Sequence, residues 1–115
     1  MTIKSSTTAY PCPCCGEGGV EPATLAIVQR LDQLMQGIMV TSGFRCPRHN
    51  EQVGGSRTSG HLKGLAVDVR CRTPEERWKL LTNLFFLAVS RIGVGNGFIH
   101  FDTDNTKPQN VIWTY

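Results

Sequence analysis

The chain has 115 residues, 40% of them hydrophobic and 18% charged, with a formal net charge of +3. That length supports one small domain and is too short for two with separate cores. No apolar run is long enough to span a bilayer, and the Lys and Arg residues are scattered rather than gathered into the basic stripe that nucleic-acid binding requires.

Residues 1–20 read as an N-terminal arm rich in Cys, Pro and Gly, punctuated by Pro11, Pro13, Gly16, Gly18 and Gly19. Its first residues are polar, with no apolar stretch of the secretory kind, so a cleaved signal peptide is not expected there and no core is expected from the arm. The domain proper is expected over 21–115. A helix begins at Pro22, with Gly37 as its C-terminal cap, and places Leu25, Val28, Leu31, Leu34 and Met35 on one face at helical spacing. Ile38 to Thr41 is a short β-branched run and is assigned as a strand.

A looped stretch from Arg45 to Gly60 follows, with one helical turn near Arg48 to Val53. Gly64 to Cys71 alternates as a second strand, with Ala66, Asp68 and Arg70 on one side. Thr73, Pro74 and Glu76 together mark a helix start, and the helix is expected to run to about Ser90, with Leu84 to Val89 as a buried segment. Arg91 to Val94 and Phe98 to Asp102 flank Gly95-Asn96-Gly97 as a hairpin, and Val111 to Tyr115 adds a last strand. The order predicts an α+β fold, a small mainly antiparallel sheet with helices packed on one face.

Five cysteines are an odd number and exclude an all-disulfide framework. Cys12, Cys14 and Cys15 cluster, whereas Cys46 and Cys71 stand apart. Reduced, partly buried thiols are the first reading; a single link from the cluster to Cys46 or Cys71 is the second, and a metal site in the cluster the third.

Chemistry concentrates in Ser59-Gly-His61-Leu-Lys-Gly64-Leu-Ala-Val-Asp68 and, some thirty residues later, Phe98-Ile-His100-Phe-Asp102. If the strands of Asp68 and His100 are neighbours, their side chains converge on one face about 5 Å apart. His61, Asp68 and His100 then form two-histidine, one-carboxylate ligation with a fourth position open, the arrangement of a catalytic zinc. Such an ion lowers the pKa of water to about 7 and polarises a carbonyl, as amide hydrolysis requires. Asp102 shares the face of His100 about 7 Å further along, within reach of the attacking water. Arg45 offers a planar fork for an oxyanion or a substrate carboxylate. His49 has no partner at ligand spacing and is read as structural.

These residues resemble the zinc D-alanyl-D-alanine carboxypeptidases and related peptidoglycan endopeptidases, including many bacteriophage endolysins. The resemblance is carried by Thr41-Ser-Gly-Phe-Arg-Cys-Pro47 with His49-Asn50 and Val53-Gly-Gly55, by Ser59-x-His61-x-x-Gly64-x-Ala66-x-Asp68, and by Ile92-Gly93 leading to Phe98-Ile-His100-x-Asp102. It implies a hedgehog/DD-peptidase-like fold and one catalytic Zn2+ on His61, Asp68 and His100. It also implies Arg45 as a catalytic and substrate-binding residue and Ser59 as part of the substrate site. Several branches carry an acid three residues before the second histidine, where this chain has Gly97. The branch with a His-x-Asp pair implies Asp102 as the catalytic base or its orienter.

The activity implied is hydrolysis of peptide bonds in bacterial peptidoglycan by zinc-activated water, as a carboxypeptidase or an endopeptidase. The expected partner is a stem peptide or cross-link, with no nucleic acid or membrane, and a monomer is expected. Without an encoded leader, the product is expected in the bacterial cytoplasm at synthesis, reaching the wall by holin-type release or as a virion component. Two alternatives stand beside it: a catalytically inactive cell-wall-binding or virion structural module that retains the zinc fold, and a nucleic-acid module built on the cysteine cluster.

Overall fold

The structure, a computed structural model, describes residues 7–115. Its regular elements are α1 (Pro22–Met35), β1 (Val40–Ser42), α2 (Pro47–Gln52), a 3-10 turn (Gly60–Lys63), β2 (Ala66–Arg70), α3 (Pro74–Phe86), β3 (Arg91–Val94), β4 (Phe98–Asp102) and β5 (Val111–Thr114). The strands form one sheet in the order β1-β2-β4-β3-β5. All neighbours are antiparallel except β3 and β5, which run parallel. The fold is therefore α+β, as the element order predicts.

Strand alternation divides the sheet into two faces. Val67, Val69, Ile92, Ile99 and Phe101 point to one side and join Val28 and Leu31 of α1 and Leu80 and Leu84 of α3 in a single core. Asp68, His100 and Asp102 consequently point to the other side. At about 25 cal/mol per Å2, each fully buried aliphatic side chain in this layer contributes roughly 1.5–3 kcal/mol. The chemical face is thus supported from behind by packed side chains.

Helix α3 starts as its sequence requires: Thr73 is the N-cap, its hydroxyl accepting from the Glu76 N–H at 3.0 Å, with Pro74 in the first turn. It ends earlier than expected, at Phe86, and Ala88 turns the chain through a left-handed φ of 61°. Phe85 and Phe86 are 53% and 69% exposed, which corrects the expectation of a buried Leu84–Val89 segment. The cause is periodicity: Leu80 and Leu84 face the core, and the next two residues rotate away from it. Val89 then returns to the core from the connecting loop.

Helix α1 buries Thr24, Val28 and Leu31, with Leu25 and Met35 partly buried, while Leu34 at the stripe's edge is exposed. Its left-handed cap is Gln36 rather than Gly37, closed by the Gly37 N–H on the Asp32 carbonyl at 2.9 Å. The first strand lies later than expected. Val40 pairs with Val69 and Ser42 with Asp68, so one extra residue is accommodated between them as a bulge, and Ser42 is brought beside Asp68.

The arm also differs from its expectation. Val20 is fully buried in the core cluster and Cys12 is fully buried as well. The Thr7 and Val20 N–H groups donate to the Val20 and Ala9 carbonyls at 3.2 and 3.0 Å, and the Phe44 N–H donates to the Tyr10 carbonyl at 3.0 Å. Residues 1–6, the first part of the arm, lie outside the described residues. No helix among the described residues is long and apolar enough to cross a membrane.

Candidate metal centre

One row of residues crosses the chemical face of the sheet. Register places Ser42 of β1 opposite Asp68 of β2, Asp68 opposite His100 of β4, His100 opposite Gly93 of β3, and Gly93 opposite Trp113 of β5. Every strand contributes one member. Gly93 is required where it stands, because a Cβ there would lie 2.6 Å from Trp113 Nε1. The indole therefore lies over the glycine and reaches the His100 ring, with centroids 5.4 Å apart.

His61 arrives from outside the sheet, on the 3-10 turn that precedes β2. Ser59 caps that turn, its hydroxyl accepting from the His61 N–H at 3.2 Å, and Gly64 ends it with a φ of 72°. A Cβ on Gly64 would also lie 2.6 Å from the Gly19 carbonyl oxygen, so glycine is needed for both angle and space. The turn delivers a His61 side chain that is almost fully buried.

The three side chains converge on one point. His61 Nε2 lies 3.2 Å and His100 Nδ1 3.0 Å from the same oxygen, Asp68 Oδ1. The other ring nitrogen of each histidine has its own acceptor: His61 Nδ1–H donates to the Gly43 carbonyl at 2.7 Å, and His100 Nε2–H to Asp102 Oδ2 at 2.7 Å. Those bonds fix the ring orientations and turn His61 Nε2 and His100 Nδ1 toward Asp68. Ligands about 2.0–2.2 Å from a tetrahedral zinc stand roughly 3.4 Å apart, so the donor set fits such an ion with little adjustment.

The electrostatics agree with the geometry. Burial alone would raise the Asp68 carboxyl, but the imidazoles of His100 and His61 beside it hold it well below the usual carboxylate range. Burial opposes a charge on His100, yet the carboxylates of Asp102 and Asp68 push its pKa up. Asp102, also buried, is held below the usual range by His100 and Arg91. These are the groups as they stand without a cation, and a divalent ion would replace the proton that the histidines compete for.

Asp102 lies behind His100, on the side away from Asp68. Its Oδ2 accepts from His100 Nε2–H, while Oδ1 accepts from Arg91 Nε at 2.7 Å and from the Asp104 N–H at 3.2 Å. Both Asp102 oxygens are thus engaged, and the residue is 3% exposed.

Arg45 stands at the front of the row. Its Nε donates to Ser42 Oγ at 3.2 Å and one terminal nitrogen to Asn50 Oδ1 at 3.2 Å, while the other lies 3.5 Å from Asp68 Oδ2. Asn50 in turn donates to the Ser56 carbonyl at 2.9 Å, and a Cβ on Gly55 would collide with the Asn50 side chain. The Asn50 and Val53-Gly-Gly55 motifs thus fix the guanidinium. Arg45, Ser59, His61, Asp68, His100 and Trp113 share a cleft of about 370 Å3. His49 lies outside this group.

Sequence reasoning passed over Arg91, Gly43 and Trp113. Arg91 is 8% exposed, holds Asp102, donates to the Pro108 carbonyl at 2.6 Å and lies 4.9 Å from the Trp113 ring centre. A lone arginine at a strand start carries no linear signal for that role. The Gly43 carbonyl is a backbone group and carries none either.

A sheet face carrying two histidines and a carboxylate, each oriented by a second partner, defines a metal-dependent hydrolase site. The profile of the Peptidase M15 family matches residues 5–102, most of the chain, and the chain belongs to that family of zinc-dependent metallopeptidases. Comparison with curated proteins and with solved structures finds no match.

Proposed function

We propose that this chain is a zinc peptidase that hydrolyses peptide bonds of bacterial peptidoglycan, in a stem peptide or a cross-link. The observation carrying this is the convergence of His61, Asp68 and His100 beside an anchored Arg45, in a member of a zinc peptidase family. His61 Nε2, His100 Nδ1 and Asp68 would hold the ion. The chemistry supplied by zinc at such a site is polarisation of the scissile carbonyl and acidification of water to a pKa of about 7.

The chain's own groups do the rest. The Gly43 carbonyl and Asp102 Oδ2 accept from the distal ring nitrogens of His61 and His100, turning the other ring nitrogen of each toward the ion position. Arg91 keeps Asp102 ionised by facing it at 2.7 Å. Arg45, braced by Ser42 and Asn50, presents a positive fork to the substrate's carboxylate or to the oxyanion that develops at the carbonyl. Ser59 and the rings of Trp113 and Tyr115 line the cleft.

Zinc-loaded protein incubated with purified muropeptides should produce new peptide termini by mass spectrometry, and His61→Ala should lose cleavage together with the ion held by His61, Asp68 and His100. Absence of cleavage at every stem and cross-bridge bond would remove the proposal. The place of action that matches it is the wall, reached by holin-type release or from a virion.

One observation favours a second reading. Among the described residues lining the cleft, the carboxylates are Asp68 and Asp102, and neither has an oxygen directed at an attacking water without another partner. A catalytically inactive wall-binding or virion structural module would bind zinc and co-sediment with peptidoglycan sacculi without producing termini.

A further inference from the structure

Away from the histidine centre, the arm and the start of α2 bring four cysteines together. Cys12 and Cys15 stand at C-x-x-C spacing within Cys12-Pro-Cys-Cys-Gly16, although the cluster reads first as free thiols. The Gly16 N–H donates to the Cys12 carbonyl at 2.7 Å, the Cys12 N–H to the Glu17 carbonyl at 2.9 Å, and Gly16 takes a φ of 72°. This tight loop turns its sulfurs toward Cys46, the N-cap of α2, whose Sγ accepts from the His49 N–H at 3.4 Å.

The sulfur geometry discriminates between the possible states of the cluster. Cys14 Sγ lies 3.4 Å from Cys46 Sγ and 3.5 Å from Cys12 Sγ. The sulfurs of Cys12, Cys14, Cys15 and Cys46 all lie within 4.8 Å of one another. A disulfide requires about 2.05 Å, well short of either contact. Four thiolates around a tetrahedral zinc at about 2.3 Å stand roughly 3.8 Å apart, within the range the four sulfurs span. Arg48 lies against Cys14 and supplies positive charge beside what would be a net anionic centre. Cys71 is separate, in the core cluster, with its thiol 3.8 Å from the Thr73 carbonyl.

We propose that Cys12, Cys14, Cys15 and Cys46 bind one structural zinc ion as a closed four-thiolate site that fastens the N-terminal arm to the segment carrying Gly43 and Arg45. Binding releases the protons of the thiols to solvent and leaves no position for substrate. The fastening acts where it matters. The Phe44 N–H is bonded to the Tyr10 carbonyl, and the Arg45 N–H donates to the His61 carbonyl, both at 3.0 Å. A Cβ on Gly43 would lie 2.5 Å from Tyr10 Cβ, and one on Gly18 2.5 Å from the Phe44 ring. The arm is therefore close-packed on the strand end that supplies the His61 acceptor and the substrate-facing arginine.

The test uses the full chain, purified with zinc under reducing conditions, and does not depend on peptidase activity. Elemental analysis should find two zinc ions per chain; His61→Ala should retain one, and the double variant Cys15→Ser/Cys46→Ser should also retain one. If the double variant fails to fold, titration of the wild-type chain with an organomercurial decides, because one zinc should appear on a chromogenic chelator in step with four thiols. Cobalt substitution should add a thiolate-to-cobalt charge-transfer band that His61→Ala keeps. Three results would each overturn the proposal: a single zinc lost with His61→Ala, a disulfide within the cluster by mass after alkylation, or iron in place of zinc in the protein as isolated from cells.

Discussion

Asp102 separates the roles of base and orienter most directly. If it holds the His100 tautomer, Asp102→Asn should weaken zinc binding by about 10- to 100-fold, read by competition with a chromophoric chelator, while saturating zinc restores much of the cleavage. Unchanged zinc affinity with cleavage abolished would make it the base instead. Arg45→Lys keeps the charge but loses the fork braced by Ser42 and Asn50, and should lower kcat/KM on muropeptides by roughly thirtyfold, about 2 kcal/mol, with zinc content unchanged. Asp104 makes a pH prediction. It is fully buried, and although burial raises its carboxyl, Thr106 Oγ1 and N–H and the charges of Lys63 and Lys107 bring it down to about 2. A depressed folded pKa stabilises fully above the unfolded value of about 3.9, and that stability fades as pH falls through the folded value. Asp104→Asn should therefore cost about 2 kcal/mol in urea unfolding at neutral pH, and the gap from wild type should close as pH approaches about 2.

The starts of the elements were more legible than their ends. Thr73, Pro74 and Glu76 announce α3 because a cap is a local hydrogen-bond pattern, realised as Thr73 Oγ1 on the Glu76 N–H. Its end at Phe86 is set by where Leu80 and Leu84 meet the sheet, a condition that no local pattern records. Likewise Gly95-Asn96-Gly97 marks the hairpin of β3 and β4, with Gly97 at a φ of 84°. The parallel placement of β5 against β3 depends on a long connection, and with it comes Trp113 over Gly93. Gly93→Ala should push the indole off His100 and cost about 1–3 kcal/mol by overpacking, visible as a lower thermal midpoint and a shift in tryptophan fluorescence. A fluorescence spectrum unchanged from wild type would mean that the ring never lay against the glycine.

For the molecule as a whole, the two proposed metal sites join parts of the chain that the core holds less directly. The histidine centre ties the 3-10 turn to β2 and β4, and the cysteine cluster ties the arm to α2. Any ion that binds only the folded chain stabilises it by mass action, about 4 kcal/mol at a thousandfold excess over Kd. For a domain of this size that corresponds to a rise in Tm of roughly 10–25 °C over chelator-stripped protein, read by differential scanning calorimetry. His61→Ala should show a smaller rise, because the cysteine cluster remains. A Tm insensitive to chelator in the wild-type chain would argue that metal contributes nothing to the fold.

The grouping of His61, Asp68 and His100 was legible in the sequence, because His61, Gly64 and Asp68 lie close along the chain and His100 and Asp102 lie on the next strand of the right pairing. Short spacing and strand alternation already constrain which side chains share a face. What only the tertiary structure decided is what stands behind those side chains. Arg91 behind Asp102, the Gly43 carbonyl behind His61, and Cys46 beside the cluster of the arm are contacts between residues distant in sequence. Each is made by backbone or by a common residue type without a linear motif, and each depends on packing that brings separate segments within hydrogen-bonding or ligand distance.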